Sequence, residues 1–179
     1  VYIAPGAGEN VLCLDAATGD VVHEYADTAG TFEMIVSDGI LFAVVDPDMV
    51  DCDYSQQNAD CWKERDRASS LFSWKREAGD QPLMAVDTET GKVLGTREMP
   101  ITPLTLSADG KKVCLYDGDA VVAIDRNTGE ELWKTDVLDI GSMKTGVAGP
   151  RMILQGDRVV LSPMGHIIAL SGDTGKVLW

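Results

Sequence analysis

The sequence predicts an all-β protein built from repeated antiparallel sheets, and three observations indicate this. First, an apolar run, an acidic or small residue, the dipeptide Thr-Gly and a second apolar run recur four times, as VLCLDAATGDVVHEY, LMAVDTETGKVLGTR, VVAIDRNTGEELWKT and IIALSGDTGKVLW. Second, the apolar runs are short and rich in Val, Ile and Leu, which is typical of strands buried on both faces. Third, the later Thr-Gly pairs recur at the spacing of four-stranded units.

Each Thr-Gly pair predicts a tight turn between the two strands of its copy. A glycine at the end of such a turn allows a positive φ, which strains any residue with a Cβ. An aspartate that opens the turn can accept hydrogen bonds from N–H groups just ahead of it, and a serine can do so more weakly. We therefore assign structural roles in the repeat to Asp15, Thr18 and Gly19; Asp87, Thr90 and Gly91; Asp125, Thr128 and Gly129; and Ser171, Thr174 and Gly175.

The intervals between the Thr-Gly pairs indicate the number of units. Thr90 and Thr128 are 38 residues apart, and Thr128 and Thr174 are 46 apart, both close to the length of a four-stranded blade. The first interval, from Thr18 to Thr90, is 72 residues, but residues 31–45 already supply the two inner strands that should precede LMAVD. We therefore predict one enlarged unit. The expected units are residues 1–25, which are incomplete, 31–98 with an insert at 46–81, 101–136, and 144–179.

The aligned copies also share a small residue, and two of them carry a tryptophan ten residues after it. The small residues are Cys13, Ala85, Ala123 and Ala169, and the later position holds His23, Gly95, Trp133 and Trp179. This A-x-D-x-x-T-G-x-x-x-W pattern resembles the tryptophan-docking repeat of the PQQ-repeat (quinoprotein alcohol dehydrogenase-like) β-propeller superfamily. The resemblance implies a partial β-propeller of four-stranded antiparallel blades, part of a seven- or eight-bladed propeller, with Trp133 and Trp179 packing against neighbouring blades. Because His23 and Gly95 depart from the pattern, we expect the first two junctions to pack differently and more loosely.

Both ends of the sequence fall inside this repeating architecture. The segment VYIAPG matches a second strand of a blade, and Trp179 is the final residue of the repeat pattern. Propellers normally close radially with four to eight blades. We therefore expect the chain to be a fragment of a longer protein, whose remaining blades would be its first partner.

Composition restricts the partners that the chain is expected to bind. The 29 acidic and 15 basic side chains give a net charge of −14, which argues against nucleic acid, since binding to phosphates requires positive charge. No uninterrupted apolar stretch is long enough for a membrane helix, and the first residues do not resemble a signal peptide. The resemblance implies an exported protein of the periplasm or cell surface.

The insert at 46–81 is the most individual segment. Its acidic residues could in principle supply oxygen ligands for Ca²⁺; they are Asp46, Asp48, Asp51, Asp53 and Asp60. Their spacing matches no EF-hand loop, so a solvated acidic loop is the simpler interpretation and no metal site is predicted. The segment could be a cap on one rim of the propeller or a lid for a partner or ligand.

The four cysteines fall into two pairs. Cys52 and Cys61, in the insert, could form a disulfide in an oxidising compartment. Cys13 and Cys114 instead lie in apolar strands, where we expect free, buried thiols.

No catalytic residue is predicted. The sequence lacks a nucleophile elbow, a phosphate-binding loop and a histidine pair, and we interpret His23 and His166 as structural. The resemblance therefore favours a noncatalytic, BamB-like scaffold that binds a protein or another partner, without a cofactor. The alternative is a piece of a dehydrogenase dependent on PQQ and Ca²⁺ that oxidises alcohols or sugars, although the family's vicinal cysteine pair is absent here. A third hypothesis is an accessory propeller attached to another catalytic domain.

Overall fold

The computed structural model describes residues 1–6, 8–46, 80–138, 150–163 and 166–179. Every regular element in these ranges is a β-strand, and the strands form four separate antiparallel sheets. No helix long and apolar enough to cross a membrane occurs among the described residues. The all-β fold class predicted from the repeats is thus confirmed.

The first two sheets each follow the chain order, as in a meander. The first contains β1 (Tyr2–Ile3), β2 (Val11–Leu14) and β3 (Val21–Tyr25). The second contains β4 (Thr31–Ser37), β5 (Ile40–Val45), β6 (Asp80–Asp87) and β7 (Val93–Pro100). The insert falls between β5 and β6. Most of it, with Cys52, Cys61 and the later aspartates, lies outside the described residues.

The third and fourth sheets have the same meander order. The third contains β8 (Ser107–Ala108), β9 (Lys112–Tyr116), β10 (Val121–Asp125) and β11 (Glu131–Lys134). The fourth contains β12 (Arg151–Gln155), β13 (Arg158–Ser162) and β14 (Ile168–Ser171), and Val177 forms a single further bridge to Leu170. The limits of the blades proposed from the sequence stay a prediction, because the sheets define strands and not blade boundaries.

The described residues form two compact units, each with its own apolar core. The first unit contains residues 1–6, 8–46 and 81–98, and the second contains residues 80, 99–138, 150–163 and 166–179. In the first unit the core cluster comprises Val11, Tyr25, Leu41, Ala43, Val45, Met84 and Val86. In the second it comprises Cys114, Tyr116, Val121, Ala123, Met152, Val159, Leu161 and Leu170. Aliphatic strands thus pack as the short Val-, Ile- and Leu-rich runs predict.

The second apolar run of each repeat is not buried on both faces, and the sequence prediction was wrong there. Val22 on β3 is 63% exposed, and Leu132 on β11 is 51% exposed. These strands are the last in their sheets and have a hydrogen-bonded neighbour on one side only. An edge strand can leave one face to solvent. The strands before the turns, β2 and β10, instead have a hydrogen-bonded strand on each side.

The small residue and the ring position, ten residues apart, face each other across the two strands. Cys13 pairs with His23, and Ala123 pairs with Trp133. Directly opposed side chains in an antiparallel pair approach closely, so a small residue leaves room for the ring of its partner. A β-bulge follows the small residue in both copies, between Cys13 and Leu14 and between Ala123 and Ile124.

Candidate functional site: the Thr-Gly turns and their aromatic partners

The four Thr-Gly turns have the same backbone geometry. In each, the glycine N–H donates to the carbonyl oxygen of the residue that opens the turn, at 2.9 Å, and the threonine Oγ1 accepts the N–H two residues later. The glycines have φ of 80°, 71°, 71° and 69°, in the left-handed region that the sequence predicted. The opening and closing residues are Asp15 and Gly19, Asp87 and Gly91, Asp125 and Gly129, and Ser171 and Gly175.

The three turn aspartates use their carboxylates to hold the turns. Oδ1 of Asp15 accepts the N–H groups of Ala17 at 2.8 Å and Thr18 at 2.9 Å. Oδ1 of Asp125 likewise accepts two N–H groups, at 2.8 and 2.9 Å. The N–H of Thr18 and then that of Ala17 keep the pKa of Asp15 below its usual range. These carboxylates are therefore engaged with the backbone of their own turns.

Asp87 makes the same contacts, and its hydrogen bond from the threonine hydroxyl is shorter than that of Asp15, 2.7 Å against 3.3 Å. Its Oδ1 accepts the hydroxyl and the N–H of Thr90, both at 2.7 Å, and the N–H of Glu89 at 3.1 Å. The Thr90 hydroxyl is the largest cause of a lowered pKa for Asp87, followed by the Thr90 N–H. The turn between β6 and β7 is thus held by three hydrogen bonds to one carboxylate oxygen.

Trp133 of the third sheet packs on the Thr-Gly turn of the fourth sheet. Its indole lies so close to Gly175 that a Cβ on that glycine would stand 2.5 Å from Cε3 of the ring. The indole Nε1–H donates to the carbonyl oxygen of Gly172, the second residue of the turn, at 3.0 Å. The glycine face and the carbonyl together form a socket, which we call the turn socket.

His23 and Tyr25 of the first sheet together fill the turn socket of the second sheet. The His23 ring covers Gly91, where a Cβ would overlap its Nε2 edge. The buried Tyr25 donates its hydroxyl to the carbonyl oxygen of Thr88 at 2.9 Å, and its ring lies 4.7 Å from that of His23. Thr88 is the second residue of its turn, as Gly172 is. Two side chains thus make the two contacts that Trp133 makes alone.

This arrangement corrects one sequence expectation and adds a residue that it missed. The first junction differs in its residues, as predicted from His23, but it is not looser, since His23 leaves no room for a Cβ at Gly91. Tyr25 was not singled out in the sequence. The signal in the sequence that could have found it is a second aromatic ring two residues after His23, because that spacing places both rings on the same face of β3. At Gly95, which also departs from the pattern, nothing lies within 4 Å of the place that a Cβ would take.

Trp179, the first Thr-Gly turn and His166 face the solvent. Trp179 is 69% exposed, and its carbonyl oxygen accepts the N–H of Ala169 at 2.8 Å. Residues 15–20 are exposed along the whole first turn, and nothing lies within 4 Å of the Cβ position of Gly19. His166 is also exposed.

Two further contacts join the third sheet to the fourth. The buried hydroxyl of Ser107 donates to the carbonyl oxygen of Met152 at 2.9 Å. Lys112, whose side chain is 6% exposed, places Nζ 3.7 Å from Oδ1 of Asp173, in the fourth Thr-Gly turn, and 3.9 Å from Oδ2 of Asp109. The second contact adds an ion pair to the turn on which Trp133 packs.

A set of exposed aliphatic side chains follows the turns. They lie on the second apolar run of each copy, and we call them the outer aliphatic residues. They are Val21 and Val22, Val93 and Leu94, Leu132, and Val177 and Leu178.

The described cysteines and acidic residues form no metal centre. Within the described ranges, no group of three or more His, Cys, Asp or Glu side chains is arranged to hold a metal ion. Burial raises the pKa of the Cys114 thiol to about 12. Cys13 is a free, partly exposed thiol opposite His23. Asp46, the one of the five candidate aspartates within the described ranges, is buried and donates its N–H to the carbonyl oxygen of Gly30 at 2.9 Å.

Comparison with known proteins agrees with the repeat and the fold. The sequence model of the family described as "Outer membrane protein assembly factor BamB" matches residues 79–179, more than half of the chain. BamB from Moraxella catarrhalis has a similar structure, with 19% identity and a TM-score of 0.54, over 99% of this chain and 48% of that one. The quinohemoprotein alcohol dehydrogenase ADH IIB of Pseudomonas putida is 29% identical over 113 residues. This match covers 55% of the chain and only 16% of the dehydrogenase.

The repeat, the sheets and these matches agree on one assignment. The predicted partial β-propeller is confirmed by the structural similarity to BamB over nearly the whole chain. The chain therefore belongs to the BamB-like family of the PQQ-repeat β-propeller superfamily.

Proposed function

We propose that the chain is a noncatalytic binding scaffold that presents its outer strands and turns to a protein partner. The observation that carries this proposal is the exposure of the outer aliphatic residues. Exposed aliphatic groups that recur beside ordered turns are candidates for a protein contact surface, since burying them on association is favourable. Val22 at 63% and Leu132 at 51% exposure are the most accessible in their copies.

Rigid display is the proposed mechanism. Carboxylates, hydroxyls and backbone groups close the turns, and each filled turn socket holds a turn against the ring of the preceding sheet. We infer that Trp133 is a docking residue between the third and fourth sheets, and that His23 with Tyr25 serves the same role between the first and second. A scaffold held in this way loses little conformational entropy when it binds.

The description of the family supports the kind of partner and the compartment that we propose. Its description, outer membrane protein assembly factor, supports a protein partner and an exported location in the periplasm or at the cell surface. The net charge of −14 favours partners with basic surfaces. The third hypothesis, an accessory propeller attached to another catalytic domain, is compatible with the same scaffold role.

The second candidate is a dehydrogenase dependent on PQQ and Ca²⁺, and the similarity to quinohemoprotein alcohol dehydrogenase ADH IIB favours it. The described acidic residues do not form a Ca²⁺ site. Ca²⁺ requires several oxygen ligands that converge on one point. The carboxylates of Asp15, Asp87 and Asp125 instead accept N–H groups of their own turns, and the three turns belong to three different sheets. We therefore derive no chemical step through the cofactor.

Calorimetric titration of the full-length protein with PQQ, with and without Ca²⁺, separates the two functions. The scaffold proposal expects no heat of binding under either condition. Tight binding that depends on Ca²⁺ would contradict it and would assign the protein to the dehydrogenases.

A photo-crosslinking experiment tests the contact surface. A benzophenone side chain is placed at Val22 or at Leu132 in the full-length protein in cells, and at the exposed Lys111 as a matched control. We expect one protein to be captured from both aliphatic positions and not from Lys111. Equal capture at Lys111, or none at Val22 and Leu132, would exclude the outer strands as the contact surface.

A further inference from the structure

We draw no further inference here: the strongest candidate, the glycine face of the third Thr-Gly turn, where no atom of the described residues lies within 4 Å of the Cβ position of Gly129, carries none because nothing in the structure shows what covers it.

Discussion

Replacement of Gly175 by alanine tests the packing of Trp133 most directly. The new methyl group would stand 2.5 Å from Cε3, 2.9 Å from Cζ3 and 3.1 Å from Cδ2 of the indole. Alanine at a φ of 69° costs about 1–2 kcal/mol in backbone strain. Displacing the ring from a packed site adds about 1–3 kcal/mol. We therefore expect Gly175→Ala to lower the free energy of unfolding by about 2–5 kcal/mol.

Gly129→Ala is the control that separates the two contributions. Gly129 has nearly the same φ, 71°, and lies in the same compact unit, but nothing stands within 4 Å of its Cβ position. Its substitution should lower the free energy of unfolding by the backbone contribution alone, about 1–2 kcal/mol. Urea denaturation followed by tryptophan fluorescence and by circular dichroism measures both variants.

The double variant Trp133→Ala with Gly175→Ala completes the test. Without the indole the new methyl group meets no ring, so Gly175→Ala should then cost about as much as Gly129→Ala, roughly 1–2 kcal/mol. Trp133→Ala by itself should lower the free energy of unfolding by about 3 kcal/mol, because packing and a hydrogen bond are lost. The reasoning is refuted if Gly175→Ala and Gly129→Ala destabilise equally, or if Trp133→Ala leaves the unfolding transition unchanged.

Three further predictions concern the first unit and the thiols. Tyr25→Phe leaves the Thr88 carbonyl without its donor and should lower the free energy of unfolding by about 1 kcal/mol in urea denaturation, whereas an unchanged midpoint would remove Tyr25 from the junction. The folded state lowers the pKa of Asp87, so its carboxylate stabilises the fold above the reference pKa of 3.8, and this contribution is lost as the pH falls through the lower folded value. Asp87→Asn should therefore flatten the acid dependence of stability. An identical pH profile of stability in the variant would contradict the assignment. In the native chain, alkylation at neutral pH followed by peptide mass spectrometry should label the partly exposed Cys13 well before Cys114, whose buried thiol has a pKa raised to about 12; equal labelling rates would mean that the third sheet opens readily.

The sequence by itself determined the repeat and the chemistry of its turns. The Thr-Gly spacing gave the meander of short strands, since an apolar run of that length, followed by a glycine that tolerates positive φ, has few alternative local structures. The turn aspartates could be assigned because their hydrogen bonds reach only two or three residues along the chain. Such contacts are local, so the sequence contains both partners.

Tertiary structure decided which surfaces these elements cover. The exposure of Val22 and Leu132 could not be predicted, because an apolar run has the same composition at the edge of a sheet as in its middle. The pairing of His23 and Tyr25 with the Gly91 turn joins residues more than 60 positions apart, and no local pattern specifies such a contact. The sequence shows where a ring recurs, and only the packing of neighbouring sheets decides whether a glycine face and a carbonyl oxygen receive it.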